Sequence, residues 1–279
     1  PAPVLASAPQ PAPHPSWQEQ APAQFTYSGH SQSRPVEPVR GAGRLAPVVV
    51  CMSGKGGVGK GTFSALLAER AAQKGRLDPR GGDNKVILID GSRGQGGQLV
   101  ISAADRSVGT IYDYAVSGAE PMRAIIPPPQ LNRARPSRLA PLSYGAVFAP
   151  REGQSDPNVV TSEVYARVVR AAREVAHLVI IDTQIVEDSD TSGLWERVWL
   201  PLLASEGGWG VMILDASVEA REKTPQRFRM LQRAGVGRSR MLFALNRIMP
   251  MLTLSDGLGD LVAGYSQFGE FAGVVHQSD

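Results

Sequence analysis

Continuous apolar runs, rich in β-branched residues, alternate with segments of helical apolar spacing from residue 47 onward. Strands are predicted at 48–52, 86–90, 146–149, 178–182, 211–215, 241–246 and 271–275. Helices are predicted at 61–74, 110–115, 161–175, 195–203 and 217–235. The strands are apolar throughout, so helices should cover both faces of their sheet. The pattern predicts an α/β fold, a three-layer sandwich with a mostly parallel central sheet.

Residues 1–45 have a different composition, in which proline alternates with alanine and small polar residues. Proline fixes φ and removes an amide donor, which favours solvated polyproline II, and the segment has few large apolar residues for a core. We predict a proline-rich disordered tail or linker over 1–45 and one folded domain over 46–279. A docking site for a protein partner that binds proline-rich chains is the alternative role for this tail. Inside the domain, strands flank the proline- and arginine-rich stretch 126–141, which is predicted to be irregular.

Composition narrows the classes of protein that the chain can belong to. With 279 residues, 42% of them hydrophobic, the chain can bury one sizeable α/β core or two small ones. Cys51 is the single cysteine, so no internal disulfide can form and a reducing, cytoplasmic location is expected. No apolar run has membrane-spanning length, so no transmembrane segment is expected. A net charge of +3 does not by itself argue for nucleic-acid binding.

A glycine-rich stretch, SGKGGVGKGT at 53–62, lies between the first predicted strand and its helix. Residues 54–60 fit the first seven positions of GxxxxGK[ST], in the strand-then-helix context that this phosphate loop requires. Glycines let backbone amides turn toward phosphate oxygens, and the helix presents its positive end to the same anion. The alternative is a glycine-rich turn that binds nothing. The predicted contacts to ATP or ADP are Gly54, Gly56, Gly57, Val58, Gly59, Lys60, Gly61 and Thr62.

The additional lysine at position 55 indicates which kind of phosphate loop this is. KGGVGK resembles the deviant phosphate loop of the ParA/MinD family of P-loop ATPases, and the resemblance extends from about residue 48 to the end. VILID at 86–90 is similar to the family's switch I strand, and HLVIID at 177–182 to its Walker B strand. LFALNR at 242–247 is similar to the strand that ends at the adenine, and 271–275 to the late strand that leads to a base-contacting loop.

This resemblance implies a division of roles around the phosphates. Lys60 would neutralise the β- and γ-phosphates, and Thr62 would touch the α-phosphate. Lys55 would take part in catalysis by reaching across a homodimer interface to the partner's nucleotide. ATP would therefore join two subunits, and hydrolysis would release them.

The resemblance also assigns roles to three residues at predicted strand ends. Asp90 and Asp182 would be catalytic, holding the waters of Mg²⁺ or orienting the attacking water. Asn246 would contact the adenine edge. A strand-end aspartate is also common as a helix or turn cap, and Asn246 can simply close a turn, so these alternatives stay open.

Two residues depart from the family pattern at the metal and the attacking water. Gly61 stands where the family has the serine or threonine that binds Mg²⁺, so a water would have to replace the hydroxyl and the metal site would be weakened. Ser92 stands where the family often has a second aspartate, and serine cannot act as a carboxylate base. The groups that hold phosphate are retained. The hypothesis is therefore a chain that binds ATP or ADP and hydrolyses it slowly or not at all.

The segment after the fifth predicted strand is rich in cations. Some plasmid-partition relatives bind DNA nonspecifically through such residues, whereas a solvated helical face is the favoured interpretation here. The residues are Arg221, Lys223, Arg227, Arg229, Arg233, Arg238 and Arg240.

Three functions remain open from the sequence. The first is a dimerising ATPase switch that positions DNA or a protein complex. The second is a scaffold that does not hydrolyse and uses nucleotide only to stabilise its dimer. The third is an adaptor whose proline-rich tail docks on a secretion or conjugation assembly.

Overall fold

The computed structural model describes six stretches of the chain: residues 45–74, 85–92, 96–154, 156–186, 193–249 and 256–276. The predicted tail over 1–45 lies outside them except for its last residue. Its extended conformation and its role in docking therefore stay predictions.

The described residues form a parallel sheet of seven strands in the order β3-β2-β4-β1-β5-β6-β7. Each predicted strand is present, with ends that differ by at most about two residues. The strands are β1 Val48–Met52, β2 Val86–Gly91, β3 Gly145–Val147, β4 Leu178–Thr183, β5 Trp209–Leu214, β6 Met241–Ile248 and β7 Glu270–His276. β1 lies between β4 and β5, and Asp90 on β2 is in register with Asp182 on β4. The carboxyl ends of β1, β2 and β4 therefore meet at one edge of the sheet.

The helices connect these strands and confirm the predicted fold class. They are α1 Lys60–Gln73, α2 Gln98–Ile101, α3 Ile111–Ser117, α4 Pro128–Arg133, α5 Ser162–Val175, α6 Leu200–Ala204, α7 Val218–Arg233 and α8 Asp256–Ser266. The segment predicted as one helix over 195–203 is a π-helical turn, Trp195–Trp199, that continues into α6. Within the described residues, no helix is long and apolar enough to cross a membrane.

Three helices lie where the sequence pattern did not predict them, namely α2, α4 and α8. α4 falls inside the stretch 126–141 that was predicted to be irregular, and it begins at Pro128, where a proline ring suits the first helical turn. α8 contains glycine at positions 257, 259 and 264 and has low intrinsic helix propensity. Leu261 and Tyr265 of α8 are buried against the sheet, so tertiary packing stabilises this helix.

Apolar layers cover both faces of the sheet. Val50 and Met52 of β1 belong to the layer that holds Trp199, and Cys51 belongs to the opposite layer. Burial raises the pKa of the Cys51 thiol to about 12, so this thiol stays protonated and unreactive.

Candidate functional site

The loop between β1 and α1 has the backbone of a phosphate-binding turn. Gly57 and Gly59 have φ values of +76° and +82°, in the left-handed region that glycine adopts without steric cost. Gly59 precedes α1, and no side chain of the described residues caps that helix. The first-turn amides of α1 are therefore available to an anion at the positive end of the helix.

The other predicted loop residues surround this turn. Gly54 is buried, and a Cβ there would lie 3.3 Å from Thr224 of α7, so the loop is packed closely against that helix. Val58 is buried in the core, whereas Gly56 and Thr62 are exposed. Val58 therefore anchors the loop, and Gly56 and Gly57 are left at its surface.

Lys60 and Asp182 form an ion pair at the base of the loop. The Nζ atom of Lys60 lies 2.6 Å from Oδ1 of Asp182 and also donates to the carbonyl oxygen of Thr183. Both side chains are largely buried, at 14% and 7% exposed. The hydroxyl of Ser64 donates to the Lys60 carbonyl at 2.9 Å and lies 3.5 Å from Asp182 Oδ1. The structure thus brings together two residues that the sequence predicted separately.

Asp90 is buried beside this pair and accepts hydrogen bonds from two residues that follow it. Its Oδ1 accepts from the Ser92 hydroxyl at 2.5 Å and the Ser92 amide at 3.2 Å, and its Oδ2 accepts from the Gln98 amide at 3.1 Å. Burial, and next the negative charge of Asp182, raise the pKa of Asp90 to about 6. A cation placed between these two carboxylates would be stabilised by both.

Gln98, at the start of α2, is a site residue that sequence reasoning missed. Its Nε2 donates to Asp182 Oδ2 at 2.7 Å and to the Gly61 carbonyl at 2.9 Å, and the side chain is 1% exposed. Gln98 therefore links the first turn of α1 to both strand-end carboxylates. A glutamine eight residues after Asp90 carries no local signal of this role.

Lys55 lies in a cluster within its own chain. Its Nζ is 3.0 Å from the Ser217 hydroxyl, 3.3 Å from Asp215 Oδ2 and 3.7 Å from Glu219 Oε2. These residues lie at the carboxyl end of β5 and the start of α7, where Ser217 caps the helix. The predicted contact of Lys55 with a partner's nucleotide stays a prediction.

Asn246 and its neighbour Arg247 hold the glycine loop from the side of β6. Asn246 is buried, and its Nδ2 donates to the Val58 carbonyl at 2.7 Å. Arg247 has φ +56° at an irregularity between β6 and β7, and its guanidinium donates to the Gly57 carbonyl. The predicted adenine contact of Asn246 stays a prediction, and Arg247 is a second contact that the sequence did not indicate.

The close approach of Asn246 to Gly59 predicts that alanine destabilises the fold more at Gly59 than at Gly57, although both glycines have positive φ. Gly57→Ala is expected to lower the unfolding free energy by about 1–2 kcal/mol, because alanine is strained at the positive φ of this position. No steric clash adds to this cost, since a Cβ there meets no described atom within 4 Å. Gly59→Ala carries the same backbone cost, and its Cβ would lie 2.5 Å from Asn246 Nδ2. Urea unfolding should therefore show the larger loss for Gly59→Ala, and equal losses would contradict the close contact.

Comparisons with known proteins identify the fold. No protein-family model matches the chain, and no curated protein matches its sequence. Among solved structures, a chain in the MinC:MinD cell division protein complex of Aquifex aeolicus is 20% identical with a TM-score of 0.62, covering 84% of this chain and 82% of that one. A ParA family ATPase from Chlorobium tepidum is 15% identical with a TM-score of 0.59, covering 84% and 86%. The chain has the ParA/MinD-like P-loop ATPase fold.

A third structure with the ParA/MinD-like fold was solved with nucleotide. This complex of a Cyanothece McdA variant with ATP is 17% identical to the present chain with a TM-score of 0.56, covering 85% of each. At this level of identity the likeness confirms the fold that the sequence motifs predicted. The roles of individual residues depend on the geometry described above.

The donor set at the sheet edge fits a hard divalent cation. Within the described residues, no group of three or more His, Cys, Asp or Glu side chains could hold a metal ion. Mg²⁺ in a nucleotide site of the ParA/MinD-like fold does not need such a group, since it keeps several waters and takes oxygens from phosphates. Asp90, Asp182 and the Gln98 amide oxygen supply oxygen acceptors here, so the residues present fit a water-bound Mg²⁺.

Proposed function

We propose that this chain binds ATP or ADP and acts as a nucleotide-dependent dimerising switch of the ParA/MinD type that positions DNA or a protein complex. The observation that carries the proposal is the Lys60–Asp182 ion pair at the base of a glycine-rich loop in which Gly57 and Gly59 have positive φ. A phosphate entering the loop would accept hydrogen bonds from the Lys60 ammonium in place of Asp182. The uncapped first turn of α1 would bind the same anion. The site is therefore organised before ligand arrives.

The same geometry supports weak or absent hydrolysis. Gly61 contributes no hydroxyl to Mg²⁺, which when bound would neutralise charge on the phosphates, while Asp90 and Asp182 would hold its waters. The Ser92 hydroxyl donates a hydrogen bond to Asp90 at 2.5 Å. Ser92 therefore stabilises that carboxylate and cannot act as a base toward the attacking water. Binding and positioning are retained, and activation of the attacking water is reduced.

Dimerisation is coupled to nucleotide through Lys55 in this proposal. In the single chain the Lys55 ammonium is neutralised by Asp215 and Glu219. The lysine must leave this cluster to reach the phosphates bound by a partner subunit. A nucleotide with a γ-phosphate offers more negative charge than ADP and should favour that exchange.

The test is a titration of the purified chain with fluorescently labelled ATP and ADP while the mass in solution is followed by light scattering. We expect both nucleotides to bind, and ATP, but not ADP, to double the mass. Phosphate release, measured in the same samples, should be far slower than binding. Absence of binding by either nucleotide contradicts the proposal. Binding without any change of mass contradicts the switch and leaves a nucleotide-binding monomer.

The alternative function is a scaffold or adaptor that docks on a secretion, conjugation or other large assembly and does not hydrolyse nucleotide. Complete absence of phosphate release, together with a stable nucleotide-bound dimer, would favour the scaffold. The docking role of the proline-rich tail and a cytoplasmic location remain part of this proposal. Copurification that requires residues 1–45 would support the adaptor.

Nonspecific DNA binding is the weaker of the partner hypotheses. Several cations of the basic segment are engaged within the chain. Arg238 donates to the Ser266 carbonyl, Arg240 donates to the Gly207 carbonyl and stacks over Trp209, Arg229 stacks over Phe268, and Lys223 pairs with Glu219. These side chains are exposed but engaged within the chain, which is typical of a solvated helical face.

A further inference from the structure

The space beside Gly61 is taken up by α2. A Cβ added at Gly61 would lie 2.9 Å from Ile101 Cδ1, 3.2 Å from Asp182 Oδ2 and 3.4 Å from Gln98 Nε2. A side chain at position 61 would therefore enter the same small volume as the Gln98 amide. The absence of a side chain at Gly61 and the burial of the Gln98 side chain therefore belong to the same local packing.

The orientation of the Gln98 amide follows from its neighbours. The Gly61 carbonyl and Asp182 Oδ2 are both acceptors, at 2.9 and 2.7 Å, so the atom that faces them must be the amide nitrogen. The amide oxygen, Oε1, then points away from these acceptors. It is buried and has no hydrogen-bond partner among the described residues.

A buried oxygen without a hydrogen-bond donor is energetically costly unless a water molecule or a bound cation satisfies it. Gln98 also contacts the two carboxylates Asp90 and Asp182 through its backbone amide and its side chain. A cation or its hydration shell at this place would satisfy Oε1 and would reduce the repulsion between the carboxylates.

We propose that Gln98 supplies, through Oε1, the side-chain oxygen for Mg²⁺ or for a water bound to Mg²⁺ that Gly61 cannot supply. This assignment rests on the proposed nucleotide binding and deepens it. Gln98 holds the metal end of the site from α2, and the glycine at position 61 leaves the room that the longer side chain needs. The metal dependence of nucleotide affinity in this chain then requires Gln98 beside Asp90 and Asp182.

The test compares the affinity for labelled ADP in Mg²⁺ with the affinity in EDTA, by fluorescence anisotropy. In the wild-type chain we expect Mg²⁺ to tighten binding at least about tenfold. In Gln98→Leu, which keeps a similar volume without the amide, the ratio of the two affinities should fall below about twofold. Gln130→Leu, at an exposed glutamine on α4, is the matched control and should keep the wild-type ratio.

A rescue experiment separates a metal role from a packing role. In Gln98→Ala combined with Gly61→Ser, the Gln98 amide is removed and the serine offers a hydroxyl at the usual position, while the Ile101 methyl group, 2.9 Å from the new Cβ, has to shift. We expect Gly61→Ser to restore the Mg²⁺ dependence that Gln98→Ala alone loses, because packing loss would not be repaired by a hydroxyl. Circular dichroism checks that each variant is folded.

The outcomes separate this assignment from the function on which it rests. A wild-type chain that binds no labelled ADP in either buffer overturns the proposed function and this assignment together. A chain that binds ADP, but with a ratio that Gln98→Leu leaves unchanged, overturns the assignment alone. A wild-type ratio near one also overturns the assignment and leaves nucleotide binding intact.

Discussion

Lys60→Ala is expected to weaken nucleotide binding by at least about 100-fold, the scale of a lost charge-assisted contact of roughly 3 kcal/mol. The Lys60 ammonium lies at the base of the glycine loop, largely buried and 2.6 Å from Asp182. In this low-dielectric position a single positive charge interacts strongly with phosphate oxygens. Its removal also leaves the Asp182 carboxylate buried without its cation, so an entering phosphate would meet an uncompensated negative charge.

The measurement is the affinity for labelled ADP and ATP, with the unfolding free energy determined in parallel. The parallel measurement is needed because breaking a buried ion pair also destabilises the fold. Lys74→Ala is the matched control, since Lys74 is exposed and terminates the same helix. Nucleotide binding within about threefold of wild type in a folded Lys60→Ala chain would rule out the phosphate role of Lys60.

Trp199→Ala is expected to lower the unfolding free energy by about 3–5 kcal/mol. Trp199 is fully buried at the end of the π-helical turn, and its ring meets Tyr165 edge to face with centroids 5.7 Å apart. A Cβ at Gly91 would lie 2.8 Å from the Trp199 ring, so this ring packs directly against the end of β2. Tyr165 in turn donates its hydroxyl to the Ser92 carbonyl at 2.9 Å. A cavity here would loosen the wall behind Asp90.

Urea unfolding monitored by far-ultraviolet circular dichroism measures this effect. Trp199→Phe is the control, because it keeps an aromatic ring and removes an indole N–H that has no hydrogen-bond partner in the described part of the chain. We expect Trp199→Phe to cost under about 1.5 kcal/mol. A loss below about 1 kcal/mol for Trp199→Ala would mean that the cavity collapses and that this ring does not support β2.

Local sequence patterns were sufficient to predict most of the strands and helices of the fold. Each predicted strand is present because an apolar, β-branched run has few alternatives to a buried strand when glycine, proline and polar residues bound it. Thr110 accepts a hydrogen bond from the Asp113 amide, and Ser217 from the Ala220 amide, so two helix starts follow from cap chemistry within a few residues. α8 was missed because its glycines disfavour a helix locally, and only the burial of Leu261 and Tyr265 stabilises it.

The candidate site divides in the same way. The glycine loop, Lys60 and the two strand-end aspartates could be predicted, because a phosphate loop needs consecutive residues and parallel strands bring their carboxyl ends to one edge. The partners of these residues could not be predicted. Lys55 is paired with Asp215 and Glu219, Asn246 with the Val58 carbonyl, and Arg247 with the Gly57 carbonyl.

By itself, then, the sequence determined the layered α/β architecture, the place of the phosphate loop and the absence of a hydroxyl at Gly61. These features depend on residue type and short-range spacing. Only the tertiary structure decided that Gln98 occupies the space beside Gly61, because the two residues are 37 positions apart and Gln98 is 84 positions from Asp182. Contacts over such separations are set by how the strands pair and how the helices pack on them, and short-range spacing does not report this.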